Sequence, residues 1–442
     1  MQRRHVLAAV CGAGTAGVAG CLDEECPPRT DAEPPPEGWP MPGFDAANTG
    51  LDPDGDPPPD NPTERWRFDA WEHDDHGGVA SAPVVDDERV YVVYGLSAPD
   101  DRFPPEQDDE GTVFALEEAT GELEWEHPLS DPSGAPALVG DGLVVGDGDG
   151  TLARLERRGG DVVWETDLGA AVRTPAVADG WCYVQTDDGR VFAVDVDTGE
   201  RCWDDRQEGF RDRLGLGDEH RATGRPAVGD ETVVVLTGSS DDPPPWTVLV
   251  RGLDKESGSE RWAIELEDPV RSSTFPSPAV AEDAIYVAVP GELQARSIDD
   301  GSHEWTFATG VGETSSPTVD EDAVYLGAKN AYAIDRNTGE ERWRHVNLAP
   351  DDDESSSGTD RTPITGAPVV VGDRVLVGFG ALDREDGDHR WGEIGDDEES
   401  DYFEGGWFGR ELPTDGQAVA NGALYATTRW GRLAKFGGDD AS

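Results

Sequence analysis

The residue types best able to do chemistry are thinly spread along this chain. His73-Asp74-Asp75-His76 sets two imidazoles three residues apart, a spacing that can seat a transition metal, with His220 as a third candidate ligand. No second cluster at ligand spacing accompanies them, so a solvated loop and no metal are expected. Asp147-Gly148-Asp149-Gly150 alternates acid and glycine as calcium loops do, but lacks the downstream Glu that would complete one, and reads as a plain turn. There is no G-x-S-x-G elbow, no Walker loop and no H-E-x-x-H. The cysteines include no adjacent pair and no C-x-x-C-H. No catalytic residue is assigned.

Cations are the next scarce resource. Against 94 Asp and Glu stand 35 Lys and Arg, a formal charge of −59, and only Lys255, Lys329 and Lys435 are lysines. Acid on this scale repels nucleic acid, which is excluded as a partner. It is spread along the whole chain, so most single carboxylates are read as surface solvation. Aromatic and basic residues therefore stand out where they gather: Trp71, His73 and His76; Phe210, Arg211, Arg213, His220 and Arg221; Trp407 and Arg410. Arg173, Arg225 and Arg271 each precede an expected inner strand. Any one arginine is expected to pair with neighbouring carboxylates. Together these residues form the candidate binding face, a cationic ring for a protein segment or a small anionic ligand.

The elements that position them come from a repeat. Residues 193–203 read AVDVDTGERCW, and related copies end at Trp125, Trp164, Trp262, Trp305, Trp343 and Trp391. Each copy has a Gly four residues before the Trp, among them Gly121, Gly199 and Gly339. Between these marks, short apolar alternations are separated by Asp-Gly-type turns, giving four strands per unit of about 40 residues. First strands are expected at 82–85, 136–139, 174–178, 225–228, 277–281, 316–320, 367–371 and 416–420. The eighth unit ends after its third strand, while an orphan strand with Trp66 lies upstream of the first. The sequence predicts an all-β, eight-bladed propeller of four-stranded antiparallel blades over residues 63–437. The strand around Trp66 completes the last blade and closes the ring, followed by an acidic tail at 438–442. A monomer is expected.

Strand parity divides the turns between two faces. First-to-second and third-to-fourth turns share one, and nearly all are short. Second-to-third turns and blade connections share the other, which carries all six long insertions: 69–80, 96–110, 205–223, 239–245, 347–364 and 392–413. The candidate residues lie on this second face.

The start of the chain reads as an address. Arg3-Arg4 before a short apolar run resembles a twin-arginine export signal, and Val18-Ala19-Gly20-Cys21 resembles a lipobox. This implies a signal peptide over 1–20, a lipidated Cys21, and attachment to the outer face of the cytoplasmic membrane. Residues 21–62, rich in Pro and Asp, read as a tether, with Trp39 to Asn48 carrying apolar anchors able to pack back on the body. Cys182 and Cys202 fall on strands separated by a third, so a bridge between them is awkward. Both are expected as buried thiols in a fold held without disulfides. The scattered acid and near absence of Lys resemble proteins of extreme halophiles, which implies a halophilic archaeal source.

The A-x-D-x-x-T-G-x-x-x-W unit, from about residue 64 to 436, resembles the tryptophan-docking motif of the PQQ-like propellers, which include quinoprotein alcohol dehydrogenases and BamB-like lipoproteins. The resemblance makes Trp66, Trp125, Trp164, Trp203, Trp262, Trp305, Trp343 and Trp391 blade-docking residues. Such proteins often open with W-x-x-x-x-x-D-x-x-x-T, which Trp39, Asp45 and Thr49 fit. The enzymes hold PQQ against adjacent cysteines with calcium beside it, and this chain has no such pair. The expectation is a non-enzymatic, lipid-anchored binding or assembly scaffold without cofactor. The alternative is a PQQ- and calcium-dependent dehydrogenase with a divergent site.

Overall fold

The computed structural model describes residues 26–29, 32–73, 79–96, 110–132, 134–205, 220–239, 246–268, 276–289, 291–310, 314–346, 364, 366–393, 416–427 and 431–438. Cys21, Arg3 and Arg4 lie outside them.

Eight antiparallel sheets follow one another as the blades of a β-propeller. In the third, Ala176–Ala178, Trp181–Gln185, Val191–Asp195 and Arg201–Asp204 pair in chain order from the inner to the outer strand. The second strand is buried throughout, because neighbouring blades cover both faces of the sheet. Such strands read as continuous apolar runs. Along the outer strand only Trp203 is buried. Thr63–Asp69 pairs antiparallel with Arg432–Gly437, in one sheet with Gln417–Ala420 and Ala423–Thr427. Both ends of the chain therefore contribute to the eighth blade.

The repeat motif acts between blades. Gly199 adopts a φ of 72°, and a Cβ there would lie 2.7 Å from the Trp164 ring of the preceding blade. Only glycine provides both the turn and the room. The Trp164 Nε1–H donates to the carbonyl of Val196, three residues before that glycine, at 2.9 Å. The same pair of contacts joins Trp66 to Gly121 and Glu118, and Trp125 to Gly160 and Arg157. It continues through Trp203, Trp262, Trp305 and Trp343, which meet Gly258, Gly301, Gly339 and Gly387. Within its own blade each ring faces a residue across the ladder that is often small: Ala115, Ala193, Ala295, Ala333 and Ala381.

Trp391 departs from the pattern. It is buried, yet its Nε1 has no partner among the described residues. The eighth blade takes its outer strand from the N-terminal side of the chain, so no third-to-fourth turn exists there to offer a glycine and a carbonyl.

The turn residue that accepts the indole proton often supplies a second link. Arg157 reaches back to Asp86 at 2.8 Å, Lys255 to Asp179 at 2.6 Å and Arg384 to Asp320 at 2.7 Å. Asp86 and Asp320 are almost wholly buried and also accept the hydroxyls of Tyr91 and Tyr325. These carboxylates belong to the interior, not to the solvating surface.

One expectation about the N-terminal part needs correction. Cys26 and Cys202 form a disulfide, so the fold is not free of them, while Cys182 is a buried free thiol. The described residues of the expected tether lie against the propeller. Trp39 is fully buried, Arg29 bridges Asp195 and Asp197, and Arg374 bonds Pro58 and Asp60. The composition cannot order itself, but fixed donors on the propeller can order it.

Trp203→Ala is expected to cost about 3 kcal/mol or more in denaturant unfolding at high salt. Trp203→Phe, which loses the bond to the Lys255 carbonyl, should cost about 1 kcal/mol more than Trp391→Phe, which loses none. Equal costs for the two Phe variants would show that the indole proton is energetically idle.

Candidate functional site

An inner strand has no partner on its channel side, so its inward N–H groups need acceptors from elsewhere. The segment 39–50 supplies them by crossing the channel on the short-turn side. Val85 N–H donates to the Trp39 carbonyl, Leu138 to Pro40, Val228 to Ala46, Val280 to Ala47, Val319 to Thr49 and Val370 to Gly50, all at 2.7–2.9 Å. Val177 N–H points to the Met41 sulfur at 3.4 Å. Seven blades are thus stitched to one short strap, in chain order. It ends in Leu51–Asp52, parallel to Val369–Val371 of the seventh blade.

The strap's own shape follows from a few residues. Asp45 accepts the Thr49 N–H at 2.9 Å and its hydroxyl at 2.7 Å, closing a turn. Burial raises the Asp45 carboxyl above the usual range, and the bonds from Thr49 and the charge of Arg225 oppose that rise. Asn48, at a φ of 58°, donates from Nδ2 to the carbonyls of Pro226 and Pro278 and accepts Arg225 Nε at Oδ1. Gly43 sits at a φ of 74°, a conformation that favours glycine, and a Cβ there would also crowd Arg225 Nη2. Trp39 packs edge-on against Phe44, ring centroids 5.1 Å apart.

Above the strap the channel keeps a cavity of about 20 Å³, with Trp39, Asn48, Arg225, Thr318 and Gln417 in its lining. Trp39 Nε1 and Gln417 Oε1 are buried without a partner among the described residues. The space suits a water or two.

The described residues of the expected cationic face have different surroundings. Arg225 is buried on the strap. Arg173 pairs with Asp187 on a second-to-third turn and is about one-third exposed. Trp71 lies on the single turn Ala70–Glu72, and the exposed His73 stacks on Phe68 at 4.8 Å. His220 and Arg221 begin the inner strand His220–Val228, opposite Ser239 and Gly238, and their side chains are not described. His76, Phe210, Arg211, Arg213, Arg271, Trp407 and Arg410 lie outside the described residues. Among the described residues no three His, Cys, Asp or Glu side chains converge as metal ligands. Asn48, Gly43 and Gln417 were not singled out from sequence. The one available signal was the Trp39, Asp45, Thr49 spacing.

The family model described as outer membrane protein assembly factor BamB matches residues 109–242 and 247–440. No curated protein sequence matches significantly. BamB from Moraxella catarrhalis superposes with a TM-score of 0.55 at 16% identity, covering 86% of this chain and 98% of its own. Quinohemoprotein alcohol dehydrogenase from Comamonas testosteroni gives 0.62 at 13%, covering 92% and 81%. A europium-containing methanol dehydrogenase gives 0.60 at 13%, covering 91% and 98%. At these identities the structural likeness establishes the fold alone.

Asn48→Ala removes two donors and the acceptor of Arg225 Nε. It is expected to destabilise by about 1–3 kcal/mol and to raise proteolytic cleavage within 39–50, read by urea unfolding and limited digestion.

Proposed function

Since this chain belongs to the outer membrane protein assembly factor BamB family, we propose that it is an exported, lipid-anchored, non-enzymatic scaffold that holds a protein partner on its insertion-rich face. The observation that carries this reading is the inequality of the two faces. One is closed by short turns and by a strap that fills the channel floor. The other bears every long insertion. One insertion gathers Arg211, Arg213 and Arg221 within eleven residues, and with Arg410 they offer an acidic or anionic partner segment a place to dock. The Cys26–Cys202 disulfide supports export, because such bonds persist in oxidising compartments. Cys21 is the proposed lipid attachment point and Arg3-Arg4 the export signal.

The dehydrogenase neighbours raise the second reading, a PQQ- and calcium-dependent enzyme. The residues present do not fit that group. The chain has no adjacent cysteines against which the quinone ring would lie. No step is derived through it.

The test is crosslinking at native salt, comparing the full chain with variants in which 206–219 and 394–415 are replaced by short Gly-Ser links. Loss of a specific crosslinked partner by at least about tenfold, with unfolding unchanged, is expected if the insertions supply its anchoring residues. An undiminished partner band would refute the face assignment. A saturable rise in melting temperature with PQQ and calcium would favour the enzyme reading instead.

A further inference from the structure

The N-terminal chain leaves the propeller at a fixed place. Cys26 is bonded to Cys202 on the outer strand of the third blade, and its N–H donates to the Glu256 carbonyl in the fourth blade at 2.7 Å. Pro27 accepts the Trp181 Nε1–H at 3.0 Å, and Arg29 reaches Asp195 at 2.8 Å and Asp197 at 2.9 Å. Glu256, Asp195 and Asp197 all lie at third-to-fourth turns, and Arg29 N–H also donates to Asp179 on a first-to-second turn. The exit point is therefore the short-turn rim between blades three and four, opposite to the insertions.

Four residues, and so five Cα-to-Cα steps, separate Cys26 from Cys21. Fully extended, they reach at most about 18 Å. We propose that the disulfide sets the orientation of the anchored protein, holding the short-turn rim of blades three and four against the lipid surface and turning the insertion-rich face away from it. This rests on the proposed lipidation of Cys21. Without the disulfide and the contacts of residues 27–33, the free lead would run to Gly38. That is 17 residues, up to about 60 Å of chain, enough for either face to approach the lipid. High salt permits the close approach of so acidic a rim, since a Debye length near 3 Å at about 1 M leaves little headgroup repulsion beyond contact.

The experiment uses the full chain, processed in a lipidating host and reconstituted at high salt into phosphatidylcholine vesicles carrying an acceptor-labelled lipid. Donor dye is placed on Thr198→Cys, exposed on the short-turn face of blade three, or on Asp149→Cys, exposed on the insertion side of blade two. Cys182 is fully buried and escapes labelling. The two turn sets are separated by about 17–20 Å of strand, so transfer to lipid should be at least about twofold higher from position 198. In a Cys26→Ser, Cys202→Ser background the two efficiencies should converge. If that background fails to fold, the comparison in the native-disulfide protein still decides. Equal transfer, or more from position 149, in protein whose lipid on Cys21 is verified by mass spectrometry overturns the orientation and leaves the anchor standing. Absence of lipid on Cys21 overturns both.

Discussion

A tryptophan ring laid over a glycine of the next blade is the contact on which the rest of this molecule depends. A four-stranded blade has two apolar faces and cannot bury both alone. The bare glycine backbone lets the indole approach to van der Waals distance, and the Nε1–H then meets a carbonyl three residues earlier. Depth and rotation of the ring are set together, and with them the relation between adjacent blades. Seven interfaces use this device. The interface between blades seven and eight does not, because the eighth blade takes its outer strand from Thr63–Asp69 and has no third-to-fourth turn, and Trp391 is buried there with its proton unpartnered among the described residues.

Closure of the ring creates a second requirement at its centre. Eight inner strands present backbone donors to a narrow channel, and a ring of donors cannot be left dry. The strap of residues 39–50 answers this with its own carbonyls, so the channel floor is occupied by the protein's own chain. The consequence is polarity. The short-turn side carries the strap, the disulfide and the N-terminal exit, and the insertions lie on the opposite side. An acidic surface with few cations strengthens that division, because two of the three lysines are spent between blades, Lys255 on Asp179 and Lys435 on Glu118.

Much of the fold was legible because its key contacts are made between neighbouring copies of one short motif. Gly199 and Trp203 announce a turn and a buried ring wherever they recur, and counting copies exposes the orphan strand at Trp66. The buried acids were less legible. Asp86 and Asp320 look like any other Asp in a turn, and only their tyrosine and arginine partners, drawn from the same blade and the next, mark them as interior. The candidate face was legible from strand parity and insertion length. The partner of Arg225 was not, because nothing local shows that Asn48, 177 residues earlier, receives its guanidinium.

By itself the sequence determined what depends on nearest neighbours: strand periodicity, the glycine turns, the blade count and the face that bears the insertions. Tertiary structure decided what joins distant segments. The Cys26–Cys202 bond spans 176 residues, and the strap takes its order from donors in seven blades. A Pro- and Asp-rich stretch has too little apolar surface to order itself, so its conformation is written in the strands around it and becomes visible only when the ring has closed.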